Sequence, residues 1–143
     1  MEAPAQYLLF HGSVVLLIGL LCGMPYGIAI TKQKSEEVIR AWKLAHGALS
    51  LGATTMIAIS AILTLLQVPT AVQWLLSIVF AASGYGFCFA LTLEPFAGDR
   101  GLSWTGSWLN RTVFVGNIVG ALSSLVGSAL LTYASYVSLG QIV

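Results

Sequence analysis

Three long runs without charge constrain this chain more than any other feature of its sequence. Residues 3–31, 44–93 and 112–143 contain no Asp, Glu, Lys or Arg, and they span 29, 50 and 32 residues. A helix needs about 20 apolar residues to cross the hydrocarbon core of a bilayer. The first and last runs therefore hold one transmembrane span each, and the middle run holds two spans with a tight turn between them.

The runs predict an all-α membrane protein, an antiparallel bundle of four transmembrane helices. We expect the helices at residues 7–30, 42–66, 71–93 and 112–137, together forming one domain, 1–143. Only 8% of the residues are charged, whereas soluble domains carry roughly 25%, so the surface must face the lipid bilayer. The first span has no basic segment before it, and we expect it to be retained rather than cleaved as a signal peptide. The net charge of +1 predicts no nucleic-acid partner.

The basic residues indicate how the bundle is oriented. All six lie around the connections that follow the first and third spans. Cytoplasmic connections carry an excess of Lys and Arg, so we expect connections 31–41 and 94–111 in the cytoplasm and both termini outside.

Small residues at four-residue spacing predict tight packing between helices. The first ladder is Gly19, Gly23 and Gly27, and the second is Gly116, Gly120, Ser124 and Ser128. Such ladders let membrane helices approach closely, which indicates a compact bundle or an oligomer. In the same apolar spans, Cys22 and Cys88 are expected to be small packing residues rather than a disulfide.

The stretch RAWKLAHG, residues 40–47, carries the main candidate for a functional residue. It places His46 where the charged connection passes into the second span, and an ionisable side chain inside a membrane is a functional-site hypothesis by default. Neutral imidazole is a good ligand for iron and other transition metals. The small residues Gly47 and Ala48 leave space beside it for a flat macrocycle. The alternative is an interfacial histidine that is hydrogen-bonded to a carbonyl.

Other polar residues in the spans are weaker candidates. His11 and His46 enter the membrane from opposite faces and differ in depth by roughly 18 Å, at about 1.5 Å per residue across a core of about 30 Å. They are therefore not expected to hold the same iron, and His11 is expected to pack or to form hydrogen bonds. Tyr85 and Asn117 are candidates to face a cavity and hold a substrate oxygen, or else to hydrogen-bond between helices.

Four motifs together resemble the styrene oxide isomerase family of small membrane enzymes. They are His11-Gly12, RAWKLAHG at 40–47, Gly-Tyr-Gly-Phe at 84–87 and DRGLSW at 99–104. The resemblance implies haem b as cofactor, His46 as its axial ligand and a homotrimer. Trp42 in the second motif and Arg100 in the fourth are further candidates for cofactor binding.

The resemblance also implies a reaction. In that family an aryl epoxide is isomerised to an aldehyde without net redox change. Ferric iron acts as a Lewis acid on the epoxide oxygen, and the ring opens to a carbocation-like species that undergoes a hydride shift. We therefore expect this chain to act on a small hydrophobic epoxide, with Tyr85 and Asn117 as the catalytic candidates.

This chain departs from the family pattern at three positions. An asparagine that follows the ligand histidine by six positions is Gly52 here, a tyrosine in the third span is Cys88, and an acid earlier in that span is an apolar residue near Phe80. A non-enzymatic haem protein, such as a sensor, carrier or electron-transfer subunit, therefore stays an alternative. A haem-free bundle is a third possibility. A multidrug exporter of this size needs an acid embedded in the membrane, whereas the first span has none and Glu94 is expected at a helix end beside Pro95. Glu94 and Asp99 are expected to be solvated beside a loop rather than paired for hydrolysis.

Overall fold

The computed structural model describes residues 2–140, and the regular structure in that part of the chain is helical throughout. The helices are α1 (Ala3–Leu21), α2 (Gly23–Thr31), α3 (Glu36–Ile62), α4 (Thr70–Ala97) and α5 (Trp108–Leu139), with a short 3₁₀ turn at Leu63–Leu65. Helices α1 and α2 together form the first span, and each of the four spans is long and apolar enough to cross a membrane. The predicted all-α bundle of four transmembrane helices is confirmed.

The first span is interrupted near the proline that its sequence contains. Helix α1 ends at Leu21 and α2 begins at Gly23. Pro25 has no N–H to donate to the carbonyl of Leu21, four residues earlier, and its ring crowds that carbonyl. The interruption therefore lies one turn before the proline, as expected for a proline inside a helix.

The helix ends differ from the sequence prediction where the chain leaves the apolar runs. Helix α3 begins at Glu36, because Glu36 and Glu37 in its first turn complement the positive end of the helix dipole. Helix α4 continues through Pro95 to Ala97 instead of stopping at Glu94. Helix α5 begins at Trp108, where the N–H of Asn110 donates to the Ser107 hydroxyl. Charged and polar residues thus extend the helices beyond the apolar spans.

Two sets of contacts hold the bundle together. Helices α1, α3 and α4 enclose the main core, which includes Leu8, Val15, Leu49, Met56 and Leu76. The fifth helix packs chiefly on α4 and not on α3. Its position leaves a long cleft between α3 and α5 with α4 as the floor.

Glycines determine how closely these helices approach at part of each predicted ladder; Gly27 has open space instead, and Ser124 and Ser128 line a cavity. A Cβ at Gly19 would lie 2.8 Å from the backbone nitrogen of Ser50, so α1 and α3 are in backbone contact. On the other side, a Cβ at Gly86 would lie 2.7 Å from the nitrogen of Gly120, so α4 and α5 are equally close. The Ser83 hydroxyl donates to the carbonyl of Gly120 at 2.9 Å and fixes the register there. The two cysteines are buried and free, as predicted.

Candidate functional site

The cleft between α3 and α5 is a cavity of about 820 Å³. Small residues on both walls make room for it, namely Ala48 and Gly52 on α3 and Ala121, Ser124 and Ser128 on α5. Larger side chains of α4, among them Phe80, Phe87 and Leu91, form the floor. The cavity is predominantly apolar and is large enough for a hydrophobic molecule, because ligand pockets are typically about 300–1,000 Å³.

One end of this cavity is charged. Arg40, Glu94, Arg100 and Asn117 line it there. The three charged residues also line a second cavity of about 230 Å³, which contains Asp99 as well. The charged end therefore separates an apolar chamber from a polar pocket at the end of the bundle where the 98–107 connection lies.

Glu94 is the residue that sequence reasoning placed wrongly. It was expected to be solvated beside a loop, but it lies within α4 and is only 7% exposed. Arg40 and Arg100 are within electrostatic reach of its carboxylate. An exporter needs an acid embedded in the membrane; the first span has none, but the expected placement of Glu94 at a helix end is wrong, because α4 continues to Ala97.

Two asparagines of α5 hold the 98–107 connection over the charged end. Asn110 is buried; its Oδ1 accepts from the N–H of Gly101 at 2.8 Å and its Nδ2 donates to the carbonyls of Ser103 and Thr105. Asn117 donates from Nδ2 to the carbonyl of Gly101 at 3.2 Å. Gly101 has φ +60, and a Cβ there would collide with Val113, so only glycine fits. These contacts place Arg100 at the end of the cavity.

His46 lies on a different face of α3. It is half-buried, and its Nδ1 is 2.9 Å from the carbonyl oxygen of Gly19. A carbonyl only accepts, so Nδ1 carries the proton, and the lone pair of the neutral imidazole is on Nε2. A Cβ at Gly23 would lie 3.3 Å from the ring, whereas positions at Gly27 and Gly47 have open space. The hydrogen bond expected for an interfacial histidine is present, and it leaves Nε2 as a possible ligand.

The three candidate cofactor residues are not brought together within one copy of the chain. Trp42 is one turn before His46 on α3, and its ring packs edge-on against Phe96. His46 and the cavity residue Thr55 are nine residues apart on α3, which is about two and a half helical turns. Their side chains therefore leave the helix on opposite sides. Arg100 lines the cavity, so it lies on the opposite side of α3 from His46.

The two candidate catalytic residues are also separate. Asn117 lines the cavity, but its Nδ2 is engaged by the 98–107 connection. The hydroxyl of Tyr85 shares a hydrogen bond of 2.7 Å with Nδ1 of His11, between α4 and α1. Rings of Tyr7 and Phe10 surround His11. The predicted hydrogen-bonding role of His11 is thus observed, and its partner is Tyr85.

Comparison with known proteins identifies the family. A family model described as styrene oxide isomerase matches residues 4–136. The chain belongs to the styrene oxide isomerase family. No curated protein sequence matches it. The resemblance of the four short motifs therefore extends over nearly the whole chain of this family member, including all four spans.

The three positions at which this isomerase-family member departs from the pattern now have places in the fold. Gly52 and Phe80 line the α3–α5 cavity, whereas Cys88 is buried in the core. Neither Gly52 nor Phe80 offers a polar side chain to the cavity. Apart from the hydroxyls of Thr55, Ser83, Ser124 and Ser128, the polar side chains of the cavity lie at the charged end.

Helical periodicity could have shown that Glu94 shares a helix face with Phe80, Phe87 and Leu91. Phe80, Phe87, Leu91 and Glu94 recur at intervals of seven, four and three residues, which is the spacing of one helix face. Proline at position 95 hid this pattern, because it indicated that the helix ended there.

Proposed function

We propose that this protein is a haem-b-dependent membrane isomerase that converts a small hydrophobic epoxide to a carbonyl compound. Family membership supports an isomerase of this kind. The observation that carries the cofactor assignment is the hydrogen bond from His46 Nδ1 to Gly19. It fixes the ring orientation and leaves the Nε2 lone pair for a metal, as such hydrogen bonds do for metal-binding histidines.

The surroundings of His46 fit a flat cofactor that brings its own metal ligands. No three His, Cys, Asp or Glu side chains between residues 2 and 140 are grouped to hold a metal ion, so His46 would act as a single axial ligand. Open space at the Cβ positions of Gly27 and Gly47 leaves that side of the bundle smooth. When bound there, haem iron would supply a Lewis acid that polarises the epoxide oxygen.

The rest of the site consists of this chain's own residues. The apolar walls of the α3–α5 cavity would bind the substrate and exclude water, which would otherwise trap a cationic species as a diol. Because epoxide isomerisation has no net redox change, the protein needs no reductant. Asn117 at the cavity wall would orient the substrate, and Tyr85 would act only through His11 and α1.

A homotrimer provides a way to bring these parts together. Within one copy, His46 and the cavity lie on opposite sides of α3. A cofactor bound to Nε2 of His46 would therefore not reach the cavity of the same copy. In a cyclic assembly, the surface of one copy that carries His46 contacts a different surface of the neighbouring copy. We propose that this other side contains the cavity and Arg100, so that His46, Trp42 and the neighbour's Arg100 share one cofactor.

The cofactor is tested with an absorption spectrum of protein purified in mild detergent from haem-supplied cells, before and after dithionite. We expect a Soret band near one haem per chain that shifts on reduction. His46→Ala should lose it, and the matched variant His11→Ala should keep it. A wild-type protein without a Soret band, or a His46→Ala protein that keeps it, would overturn the assignment.

The reaction is tested next by incubating the haem-loaded protein with hydrophobic epoxides of several shapes and measuring carbonyl products. We expect carbonyl formation without diol. Haem binding combined with no turnover of any epoxide would instead support the non-enzymatic alternative, a haem sensor, carrier or electron-transfer subunit.

A further inference from the structure

An exposed tryptophan is held in place where the 98–107 connection meets α5. Trp104 is 57% exposed, yet the carbonyls of its two neighbours, Ser103 and Thr105, accept from Nδ2 of the buried Asn110 at 3.2 and 2.8 Å. Its ring packs edge-on against Phe114, with 5.9 Å between the ring centroids. The backbone on both sides of Trp104 is therefore fixed so that this large apolar side chain stays at the surface.

A guanidinium lies over the same ring. The Cζ atom of Arg111 is 5.8 Å from the centroid of the Trp104 ring, which is within the range of a cation–π contact. Arg111 is exposed, and among residues 2–140 its side chain forms no hydrogen bond or ion pair. The planar fork of a guanidinium fits a phosphate with two hydrogen bonds. The pair of Trp104 and Arg111 thus presents a positioned cation to an anion outside the bundle.

The place of this pair along the fourth span is the surface of the bilayer. Arg111 is the last charged residue before the charge-free run 112–143. Trp108, three residues before Arg111 and therefore its neighbour on the helix surface, is 75% exposed. Tryptophans concentrate at the level of the lipid headgroups, because the ring is apolar and its N–H is polar. The anion within reach of Arg111 is then the phosphate of a lipid.

A strip of exposed apolar side chains continues along α5 from Arg111. It contains Val115, Ile118 and Leu122, which follow Arg111 by four, seven and eleven residues, the spacing of one helix face. At about 1.5 Å per residue the strip extends roughly 16 Å, which is about half of a hydrocarbon core of about 30 Å. This length matches the acyl chain of a lipid in one leaflet, whereas a soluble phosphate would leave the strip without a partner.

This surface is separate from the α3–α5 cavity. The cavity is lined on α5 from Asn117 onwards, and Arg111 lies six residues earlier, which is about 120° around the helix axis. Trp104, Trp108 and Arg111 are not among the residues that line the cavity. A molecule bound at Arg111 is therefore distinct from the cofactor and the substrate proposed above.

We propose that Trp104, Trp108 and Arg111 bind the headgroup of an anionic phospholipid, with its phosphate at the guanidinium and an acyl chain along the apolar strip of α5. A zwitterionic lipid would bring a second cation close to Arg111, whereas the headgroup of phosphatidylglycerol carries none. All six Lys and Arg of the chain lie around the two connections at this end, which also favours an anionic lipid.

The test is native mass spectrometry of the delipidated full-length protein in detergent, after addition of an equimolar mixture of phosphatidylglycerol and phosphatidylcholine with identical acyl chains. We expect retention of about one lipid per chain. Phosphatidylglycerol should be preferred by roughly 5-fold, the factor expected for one basic side chain at an anionic membrane surface.

Variants assign the preference to this surface. Arg111→Gln should reduce it to nearly equal retention of the two lipids. Trp104→Leu changes no charge, but it removes the ring under the guanidinium and should reduce the preference by about 2-fold or more. Lys34→Gln removes an equal charge from the 31–41 connection and should behave as the wild type. All three side chains are exposed, so folding is preserved.

The position of the lipid is tested with brominated lipids, which quench tryptophans that they contact. When Trp42 and Trp74 are replaced by Phe, the fluorescence of the chain comes from Trp104 and Trp108 alone. Brominated phosphatidylglycerol should quench these two at a lower lipid fraction than brominated phosphatidylcholine does. Arg111→Gln in the same background should remove that difference.

Equal retention of the two lipids by the wild type would overturn the inference, as would a preference that survives Arg111→Gln. An equal loss in Lys34→Gln would also overturn it, because net charge and not a site would then set the preference. If brominated lipid fails to quench Trp104 and Trp108, a second copy of the chain covers the surface and the inference is wrong. These measurements need no haem, so they stand or fall separately from the proposed function.

Discussion

The contact between Gly86 on α4 and Gly120 on α5 supports a quantitative prediction about stability. A Cβ added at Gly86 would lie 2.7 Å from the nitrogen and 3.0 Å from the Cα of Gly120, and 3.1 Å from the carbonyl oxygen of Gly116. All three are backbone atoms, so no side chain can rotate away. Gly86→Ala must therefore move α5 away from α4 by several tenths of an ångström.

The magnitude follows from two opposing effects. Alanine in a helix interior is favoured over glycine by roughly 0.5–1 kcal/mol, whereas overpacking a tight contact costs typically about 1–3 kcal/mol. We expect Gly86→Ala to lower the free energy of unfolding by about 0.5–2 kcal/mol. The hydrogen bond from Ser83 to Gly120 would lengthen as the helices separate, in the same direction.

Gly27 provides the matched control for this prediction. No atom lies within 4 Å of a Cβ at Gly27, so Gly27→Ala should leave the free energy of unfolding unchanged or raise it by up to about 1 kcal/mol. The assay is unfolding by sodium dodecyl sulfate in mixed micelles, followed by tryptophan fluorescence. If Gly86→Ala proves as stable as Gly27→Ala, the α4–α5 contact is not a backbone contact and the reasoning is refuted.

Three further predictions follow from the described contacts. Asn110→Ala removes three hydrogen bonds between a buried side chain and the 98–107 connection, and it should lower the free energy of unfolding by about 2–4 kcal/mol. Limited proteolysis should then cut this connection. Resistance equal to that of the wild type would show that Asn110 does not hold the connection. Cys22 and Cys88 are buried, so a maleimide should modify neither thiol until the protein is unfolded. Rapid labelling of the native protein would contradict the burial of these two side chains. Tyr85→Phe removes only the hydrogen bond to His11 and should cost about 0.6 kcal/mol without loss of haem; a lost Soret band would show that Tyr85 contacts the cofactor site.

The fold class could be predicted because its cause is local in the sequence. A run of apolar residues long enough to cross a bilayer must form a helix there, since lipid offers no partners for free backbone groups. The glycine ladders likewise predicted close contacts, which Gly19 and Gly120 make. The helix ends at Glu36 and Ala97 were missed, because polar residues at a membrane surface can either continue a helix or leave it.

The candidate site depended on information that no local pattern contains. The motif with His46 identified a possible ligand, but which side of α3 faces α1 and which side faces the cavity depends on how the helices pack. Because α5 packs chiefly on α4, a cleft stays open between α3 and α5. Because α4 extends past Pro95, Glu94 is buried within that helix. Local patterns in the chain are enough to place the four spans and to single out His46 as a candidate ligand. The positions of Arg100 and His46 on opposite sides of α3 follow instead from tertiary packing, because the direction in which a helical residue points has a consequence only once the neighbouring helices are in place.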